Sequence, residues 1–391
     1  MNKRYIAKRY QNMEEGQLAA SADQAAGMDD LINFTIGDPD VITDGRIIQA
    51  AFEDAKAGYT RYTESVGMKE LREEISKYYQ EEYGHQVGLD EIMVTTSACQ
   101  GMWLVLESIL DPGDQVIIPS PYFPPYSDQV KLAGGVPVYL EMKEEEDYQL
   151  NVGRLEDLIT DRTKALVLNT PNNPIGSCLT RETLQEIGEI AGKHDILIIA
   201  DDIYTLYSYH TPFVPTMTLP GLSDRTITLG SFSKDYAMTG WRIGYIVARP
   251  EFIRVIKAVN ENNVYSAPSI SQRAAIHALR LRKEIQPGLV EEFRKRTYYA
   301  YERLNRLKGV HVMEPKGTFY LFPNIKGTGL SSVQLAEMLL KEARVAVVPG
   351  SAFGPGGEGY IRLAVTLGVE RMRKPLTEWK RWKFSSKGEF S

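Results

Sequence analysis

The sequence contains a continuous apolar run at residues 196–200, Ile-Leu-Ile-Ile-Ala, which is typical of a parallel strand buried on both faces. Between residues 90 and 250, short β-rich runs alternate with helical ones on either side of it. The predicted strands are 92–95, 115–118, 164–169, 196–200, 226–229 and 243–248, and the predicted helices are 101–110, 125–132 and 181–193. This alternation predicts an α/β fold in which a mostly parallel central sheet lies between helices. Such sheets bind their ligands beyond the carboxyl ends of the strands.

The pattern changes after about residue 285. A long charged helix is predicted at 290–308 and a strand-rich, helix-poor segment at 319–366, which together indicate a smaller α+β domain. The residues before about 40 have helical character and a short predicted strand near Asn33, but no place in the alternation. We therefore predict an N-terminal arm and part of the small domain at 1–44, a large domain at 45–287 and a small C-terminal domain at 288–391.

Composition argues against several classes of protein. The chain has 391 residues, of which 43% are hydrophobic and 10% aromatic, so it can bury a large core and is not globally disordered. Its formal net charge of −6 argues against a nucleic acid or an anionic membrane as the main partner. The presence of only two cysteines, with no long apolar stretch and no signal-peptide pattern, favours a cytoplasmic protein. The histidines and cysteines lack metal-ligand spacing, so we predict no metal site.

One lysine combines several features of a reactive amine. It lies in the segment Ser231-Phe232-Ser233-Lys234-Asp235-Tyr236-Ala237-Met238-Thr239-Gly240-Trp241-Arg242-Ile243-Gly244. Lys234 follows a predicted strand, where burial can lower the pKa of its amine, and a neutral amine forms a Schiff base with an aldehyde. Ser231 and Arg242 are suitable phosphate ligands.

Six further segments carry polar residues at strand ends, in turn-forming loops or within apolar strands. They are Ile36-Gly37-Asp38-Pro39-Asp40, Tyr59-Thr60-Arg61-Tyr62, Thr95-Thr96-Ser97-Ala98-Cys99-Gln100-Gly101, Asn169-Thr170-Pro171-Asn172-Asn173-Pro174-Ile175-Gly176, Ala200-Asp201-Asp202-Ile203-Tyr204 and Gly359-Tyr360-Ile361-Arg362-Leu363-Ala364. The third lies between a strand and a helix, where free backbone N–H groups attract a phosphate. In the last, a single arginine interrupts an apolar strand.

Together these segments resemble the class I pyridoxal-phosphate-dependent aminotransferases of fold type I, in particular the bacterial aspartate and aromatic aminotransferases. The resemblance covers about residues 33–367. It implies pyridoxal 5′-phosphate (PLP) as the cofactor of the large domain. It also implies transfer of an amino group between an L-amino acid and a 2-oxo acid, with 2-oxoglutarate and glutamate as one pair, in a homodimer with shared active sites.

The resemblance implies roles for the residues that match the family's motifs. Lys234 would hold PLP as a Schiff base and move a proton between the substrate Cα and the C4′ carbon of the cofactor. Asp201 would keep the pyridine nitrogen protonated, and Tyr204 and Asn173 would hydrogen-bond the 3′ oxygen. If the chain contains a cis peptide bond, Asn173-Pro174 is the expected place for it.

The remaining matches concern the phosphate, the ring and the substrate. The phosphate ligands implied by the resemblance are Ser97, Ala98, Cys99, Ser231 and Arg242, joined by Tyr62 from the neighbouring subunit. Phe123 would stack on the pyridine ring. Arg362 would bind the substrate α-carboxylate bidentately, with the Gly37 backbone N–H and Asn173 beside it.

The preferred side chain is predicted from one difference within the family. Aspartate-selective bacterial relatives carry a lysine at the position of Cys99, and this lysine contacts the distal carboxylate of the substrate. Without it, a second carboxylate is bound without a partner unless another cation, such as Arg61, takes its place. We expect aspartate not to be clearly the best donor, with aromatic or aliphatic amino acids competitive.

Two alternatives use the same PLP site. A carbon–sulfur β-lyase would employ the same Lys234 and Asp201 but eliminate a group from Cβ, although residues 237–242 are closer to the aminotransferases. A PLP-binding transcription regulator would need a DNA-binding module of about 60 residues, and the segment before Asn33 is too short for one.

Overall fold

A computed structural model describes residues 3–11, 16–26, 28 and 30–378. The helices are α1 Gln17–Ala26, α2 Gly45–Lys56, α3 Lys69–Tyr83, α4 Ala98–Ile109, α5 Pro125–Leu132, α6 Val152–Leu158, α7 Arg181–Lys193, α8 Pro250–Glu261, α9 Ser269–Leu304, α10 Ser332–Ala343 and α11 Val369–Glu378. The strands are β1 Ile32–Asn33, β2 Ile92–Thr95, β3 Gln115–Ser120, β4 Val136–Glu141, β5 Thr163–Leu168, β6 Leu197–Asp202, β7 Thr226–Ser231, β8 Gly244–Val247, β9 Tyr320–Leu321, β10 Val345–Ala346, β11 Val348–Pro349 and β12 Ile361–Ala364.

A seven-stranded sheet forms the centre of the molecule, in the order β2-β8-β7-β6-β5-β3-β4. Only β8 runs antiparallel to its two neighbours, so the prediction of a mostly parallel sheet between helices is confirmed. Alternate residues of β6 pack on opposite faces because side chains alternate along a strand. Ile198 belongs to a cluster with α6 and α7, whereas Ile199 belongs to one with α4, α5 and α8.

The predicted elements around the central strand are confirmed, with bounds that agree within about three residues. The edge strand β4 had not been predicted, because its first residue is exposed and Pro137 interrupts its apolar pattern. The segment 319–366 is not helix-poor as predicted, because it contains α10. Ser331 caps this helix in a capping box with Gln334.

The long charged helix also differs from its prediction. It begins at Ser269 rather than at 290 and continues through Pro287 to Leu304. A proline normally breaks a helix, but α9 is buried along one side before and after it, and this packing outweighs the local preference. The predicted boundary between residues 287 and 288 therefore falls inside a continuous helix.

The C-terminal part contains a three-stranded antiparallel sheet, β11-β12-β9, and the parallel pair β1-β10. Ile32 pairs with Val345, so the N-terminal segment joins the C-terminal part of the fold. Buried side chains from α9, α10 and β12 share one hydrophobic cluster, and the partly buried Ile32 of β1 packs against it. The domain limits at 44/45 and 287/288 stay predictions. Within the described ranges, no helix is long and apolar enough to cross a membrane.

Candidate active site

The strand register brings the predicted site residues to one edge of the central sheet. The last residue of β2, Thr95, pairs with Gly244 at the start of β8, and Gly244 pairs with Ser231 at the end of β7. Near the same edge, Gly230 of β7 pairs with Asp202 of β6. The carboxyl ends of β2, β7 and β6 therefore lie at the same edge of the sheet, and the loops that follow them can build one site.

A cavity of about 680 Å³ opens in this region. Six of the predicted site residues line it: Gly37, Phe123, Asn173, Tyr204, Lys234 and Arg362. Residues of α1 form another part of its wall. In the part of the chain that the structure describes, no group of His, Cys, Asp or Glu side chains could hold a metal ion.

Lys234 carries the reactive amine of the cavity. Its Nζ donates a hydrogen bond to the backbone carbonyl of Gly37. Burial is the main reason that the pKa of Lys234 is lowered to about 8; Asp38 raises the pKa, and Arg362 and Arg242 contribute to lowering it. A considerable fraction of this amine is therefore neutral near pH 7 to 8, as a nucleophile or a base requires.

Asp201 is the penultimate residue of β6 and is only 4% exposed. Burial raises the pKa of this carboxyl to about 6, although the hydrogen bond that Tyr126 donates to Oδ2 lowers it. The other oxygen, Oδ1, is buried and has no hydrogen-bond partner. Because an unpaired buried acceptor is costly, this oxygen is suited to accept a hydrogen bond from a bound molecule.

Asn169 connects Asp201 to the loop that carries Asn173. Its Nδ2 donates to the backbone carbonyl of Asp201 at 2.9 Å, and its Oδ1 accepts from the Asn173 backbone N–H at 2.8 Å. The Asn173-Pro174 peptide bond is cis, as expected, and so are Thr170-Pro171 and Ser120-Pro121. One amide side chain thus fixes the relative positions of two predicted site residues.

Tyr320 performs a similar task on the other side of the cavity. Its Oη accepts a hydrogen bond from Tyr204 Oη at 3.2 Å, and its ring lies 4.8 Å from the guanidinium of Arg362. A Cβ atom at Gly37 would lie 1.9 Å from Tyr320 Oη, so only glycine fits there without moving the tyrosine. Burial keeps the pKa of the Tyr204 phenol well above its ordinary value.

Arg362 is a buried cation on β12, with 2% of its surface exposed. Nη2 donates to the Thr35 carbonyl, Nη1 donates to Asn173 Oδ1 at 3.4 Å, and Nε has no partner. No carboxylate among the described residues forms an ion pair with it, and burial lowers its pKa. Such a cation is suited to bind an anionic group of a ligand.

Five predicted phosphate ligands form a second group beside the cavity. Ser97 caps α4 and accepts from the Gln100 N–H at 3.1 Å, and Ala98 opens that helix. A Cβ at Gly244 would lie 2.7 Å from the Ala98 nitrogen, which places this helix start against the ends of β7 and β8 near Ser231. Arg242 lowers the pKa of both Lys234 and Cys99, so its charge lies close to both. A helix N-terminus with an adjacent arginine is suited to bind a phosphate.

Tyr62 does not join the cavity in the single chain. The residue is 89% exposed, and its ring lies edge-on to that of Tyr265, with ring centroids 5.7 Å apart. Its predicted contact with PLP would be made in a neighbouring subunit and stays a prediction.

Three further residues of the site were not assigned from the sequence. Tyr126 lies three residues after Phe123, in the first turn of α5. Asn169 opens a loop whose later asparagine had been chosen, and Tyr320 lies far from every motif. For the first two, the spacing within known motifs was the available signal. Tyr320 carried no sequence signal.

The chain is similar in sequence and in structure to known proteins. Residues 29–376 match the family described as "Aminotransferase class I and II". The aspartate aminotransferase of Pyrococcus horikoshii is 36% identical over 95% of each chain, and the aromatic-amino-acid aminotransferase 2 of Thermococcus litoralis is 37% identical over 95% of this chain and 96% of its own. The solved structure of the Thermus thermophilus aspartate aminotransferase with maleate has a TM-score of 0.91 and 33% identity, covering 96% of this chain and 99% of that one.

Proposed function

The chain belongs to the class I and II aminotransferase family and is an aminotransferase of fold type I; from that premise we propose that it transfers amino groups with PLP attached to Lys234. The observation that carries the assignment of the cofactor is the unpaired Oδ1 of the buried Asp201. Asp201 would accept through this oxygen a hydrogen bond from the protonated pyridine nitrogen of PLP. An Asp is one of the partners that PLP enzymes place at this nitrogen.

The other contacts of PLP are assigned by the same reasoning. Its phosphate would bind at the start of α4, at Ser97, Ala98 and Cys99, with Ser231 and Arg242 beside it. Phe123 would cover the ring, and Asn173 and Tyr204 would hydrogen-bond the 3′ oxygen. When bound, PLP supplies an aldehyde carbon that reacts with amines and a ring that withdraws electrons from Cα.

The residues of the chain then perform binding and proton transfer. Arg362 holds the substrate α-carboxylate through its buried guanidinium, which orients the Cα–H bond. Lys234 removes the proton from Cα, because its lowered pKa leaves part of the amine free of a proton at neutral pH. Asp201, ionised above a pKa of about 6, keeps the ring nitrogen protonated.

Arg362→Lys should weaken substrate binding selectively. Lysine keeps the positive charge but loses the planar pair of donors, so the carboxylate is held by fewer hydrogen bonds and in a less defined orientation. We expect the KM for the amino acid to rise about tenfold or more, with little change in the dissociation constant of PLP. Steady-state kinetics and PLP titration measure both quantities. An equal loss of activity with an amine that has no carboxylate would show that Arg362 acts on the fold instead.

The cavity wall favours an amino acid with a neutral side chain. Leu18, Ala19 and Ala22 of α1 line it, whereas Lys234 and Arg362 are its only cations among the described residues. Both cations already have a role in the proposed mechanism. A distal carboxylate would therefore be desolvated without a partner. We propose an aromatic or aliphatic amino acid as one substrate and retain glutamate and 2-oxoglutarate as the other pair, as the family resemblance implies.

A single screen tests both the reaction and the substrate. The PLP-loaded protein is mixed with each common amino acid, and the absorbance change of the cofactor gives the rate of the half-reaction. We expect conversion by phenylalanine or leucine at a rate that aspartate does not exceed.

Cys99→Lys should increase the half-reaction rate with aspartate relative to that with phenylalanine. Cys99→Met, which is neutral and of similar length, should not. Wild-type preference for aspartate by more than about 100-fold would contradict the proposal. Release of ammonia in place of a conserved amino group would favour the β-lyase.

A homodimer with shared sites is the proposed assembly, in the cytoplasm. The exposed Tyr62 lies edge-on to Tyr265, and Tyr59 and Val264, which are close to them in sequence, are exposed as well, each by more than two-fifths. A surface with these exposed side chains is suited to a second copy of the chain.

We expect the protein to sediment as a dimer. Mixing Lys234→Ala subunits with Tyr62→Ala subunits should restore activity through hybrids that contain one intact site. A fully active monomer at high dilution would contradict this assembly.

A further inference from the structure

Lys234 and Tyr204 lie on two segments that the sheet itself does not hold together. The strand β6 ends at Asp202 and β7 ends at Ser231, and the last paired residues are Asp202 and Gly230. Both residues lie beyond this last pair. Their relative position must therefore be fixed by contacts between the segments that follow the strands.

Asp235, the residue after Lys234, makes two of these contacts. It is 4% exposed, and its Oδ2 accepts hydrogen bonds from Thr205 Oγ1 at 2.5 Å and from the Leu206 backbone N–H at 3.3 Å. A third contact runs in the same direction, because Tyr207 Oη donates to the backbone carbonyl of Lys234 at 3.0 Å. Three hydrogen bonds thus tie residues 205–207 to residues 234–235.

We propose that Asp235 is a positioning residue that fixes Lys234 relative to Tyr204 by binding Thr205 and Leu206. The inference rests on the proposed function, since it assumes that Lys234 holds the cofactor and that Tyr204 contacts it. Catalytic groups must lie within a fraction of an ångström of their productive positions, and a misplacement of about 1 Å lowers rates by about 100-fold. A buried link next to the reactive lysine is suited to maintain such a position.

The surroundings of Asp235 indicate that its geometry matters more than its charge. The titratable groups whose pKa is raised by the charge of Asp235 are phenols: Tyr78 and Tyr83 on α3, Tyr207 on the facing segment and Tyr236 beside it. Burial raises the pKa of Asp235 to about 7, while its two hydrogen bonds lower it. The charges that set the pKa of Lys234 are Asp38, Arg362 and Arg242.

This arrangement makes asparagine a suitable replacement. One oxygen of Asp235 accepts both hydrogen bonds, and the other, Oδ1, is buried without a partner. In Asp235→Asn, the amide oxygen can accept from both donors while the NH2 group takes the unpaired position. Alanine removes the acceptor and leaves Thr205 and Leu206 unsatisfied.

The experiment compares Asp235→Asn, Asp235→Ala, Thr205→Val and Tyr207→Phe as PLP-loaded proteins. Two quantities are measured: the pH midpoint of the visible absorbance of the bound cofactor, and the half-reaction rate constant with the best amino acid of the screen. Tyr209→Phe is the matched control, because it removes a phenol bond of 2.6 Å to the Thr318 carbonyl that does not touch residues 234–235.

We expect Asp235→Ala, Thr205→Val and Tyr207→Phe to shift the absorbance midpoint by about half a pH unit or more and to lower the rate constant about tenfold. Asp235→Asn and Tyr209→Phe should stay close to wild type. If Asp235→Asn changes both quantities as much as Asp235→Ala, the charge is responsible and the proposal is wrong. Unchanged values in Thr205→Val and Tyr207→Phe overturn it as well, even if Asp235→Ala does not fold. A wild-type protein without PLP on Lys234 would instead refute the proposed function.

Discussion

Lys234→Ala should reduce amino-group transfer below detection, a fall of at least about 10⁴-fold. Lys234 is the one lysine among the described residues that line the cavity. Its pKa is lowered to about 8, mainly by burial. PLP should still bind, because the proposed contacts to its phosphate and ring do not involve this side chain. The loss therefore concerns attachment of the cofactor and proton transfer at Cα, and not occupancy of the site.

Three measurements separate these effects: turnover, PLP content after equilibrium dialysis, and borohydride reduction followed by peptide mass spectrometry. In the wild type, reduction should fix PLP on the peptide that contains Lys234. Lys164→Ala is the control, because this lysine on β5 pairs with Asp114 at 3.4 Å and is remote from the cavity lining. Substantial turnover by Lys234→Ala, or fixation of PLP on a different lysine in the wild type, would remove Lys234 from its role.

Asp201→Asn is expected to lower the rate about 100-fold or more while PLP stays bound. Asparagine has nearly the same shape, so its amide oxygen can still accept the hydrogen bond from Tyr126. Its NH2 group, however, would meet the ring nitrogen as a second donor where Oδ1 is an unpaired acceptor. The ring then loses its proton and with it much of its ability to withdraw electrons from Cα. Pre-steady-state half-reactions with PLP-saturated enzyme measure the effect.

The same substitution should stabilise the cofactor-free protein. Burial raises the pKa of Asp201 from 3.8 to about 6, so the folded protein holds this proton more tightly than the unfolded chain. The wild type therefore loses stability as the pH rises from about 4 to about 6, and the loss, about 3 kcal/mol, persists at pH 7. Asparagine does not ionise, so Asp201→Asn should be more stable than the wild type at pH 7 and equally stable near pH 4. Thermal unfolding of the cofactor-free proteins at the two pH values measures this difference.

The neighbouring Asp202 provides the matched control. It is also buried, has one unpaired oxygen and has a pKa raised well above its ordinary value, but it points to the opposite face of β6. Asp202→Asn should stabilise the protein without a comparable loss of rate. If both substitutions reduce the rate equally, the loss reflects a disturbed strand. If neither does, Asp201 is not the partner of the ring.

The elements of the central sheet were predictable because their signals are local. The apolar run at 196–200 and the polar residues after it predicted both the buried strand β6 and the position of Asp201. Ser97 was predicted between a strand and a helix for the same reason, although the helix begins at Ala98, three residues earlier than predicted. The assignment of Arg362 depended on family resemblance, since one arginine in an apolar strand does not reveal which ligand it faces.

The features that were not predicted depend on contacts between distant segments. Tyr320 contacts Tyr204, which lies more than one hundred residues earlier in the sequence, and Arg362, which lies about forty residues later. No periodic pattern in the sequence indicates such contacts. The position of the α1 residues in the cavity wall likewise depends on contacts between segments that are far apart in sequence. The course of α9 through Pro287 is set by its partners α2, α3 and β9, whereas the sequence shows only a residue that usually ends helices.

The continuous course of α9 has a mechanical consequence. A helix of 36 residues is about 54 Å long and behaves as a stiff rod that reaches from the helices beside the central sheet to the cluster beneath β12. Pro287 removes one backbone hydrogen bond at a point about 26 Å from the far end, so it is the place where the rod bends most easily. A bend of about 10° there would move that end by about 4.5 Å. Because the end of α9 shares a hydrophobic cluster with β12, such a bend would displace the strand that carries Arg362 relative to the central sheet.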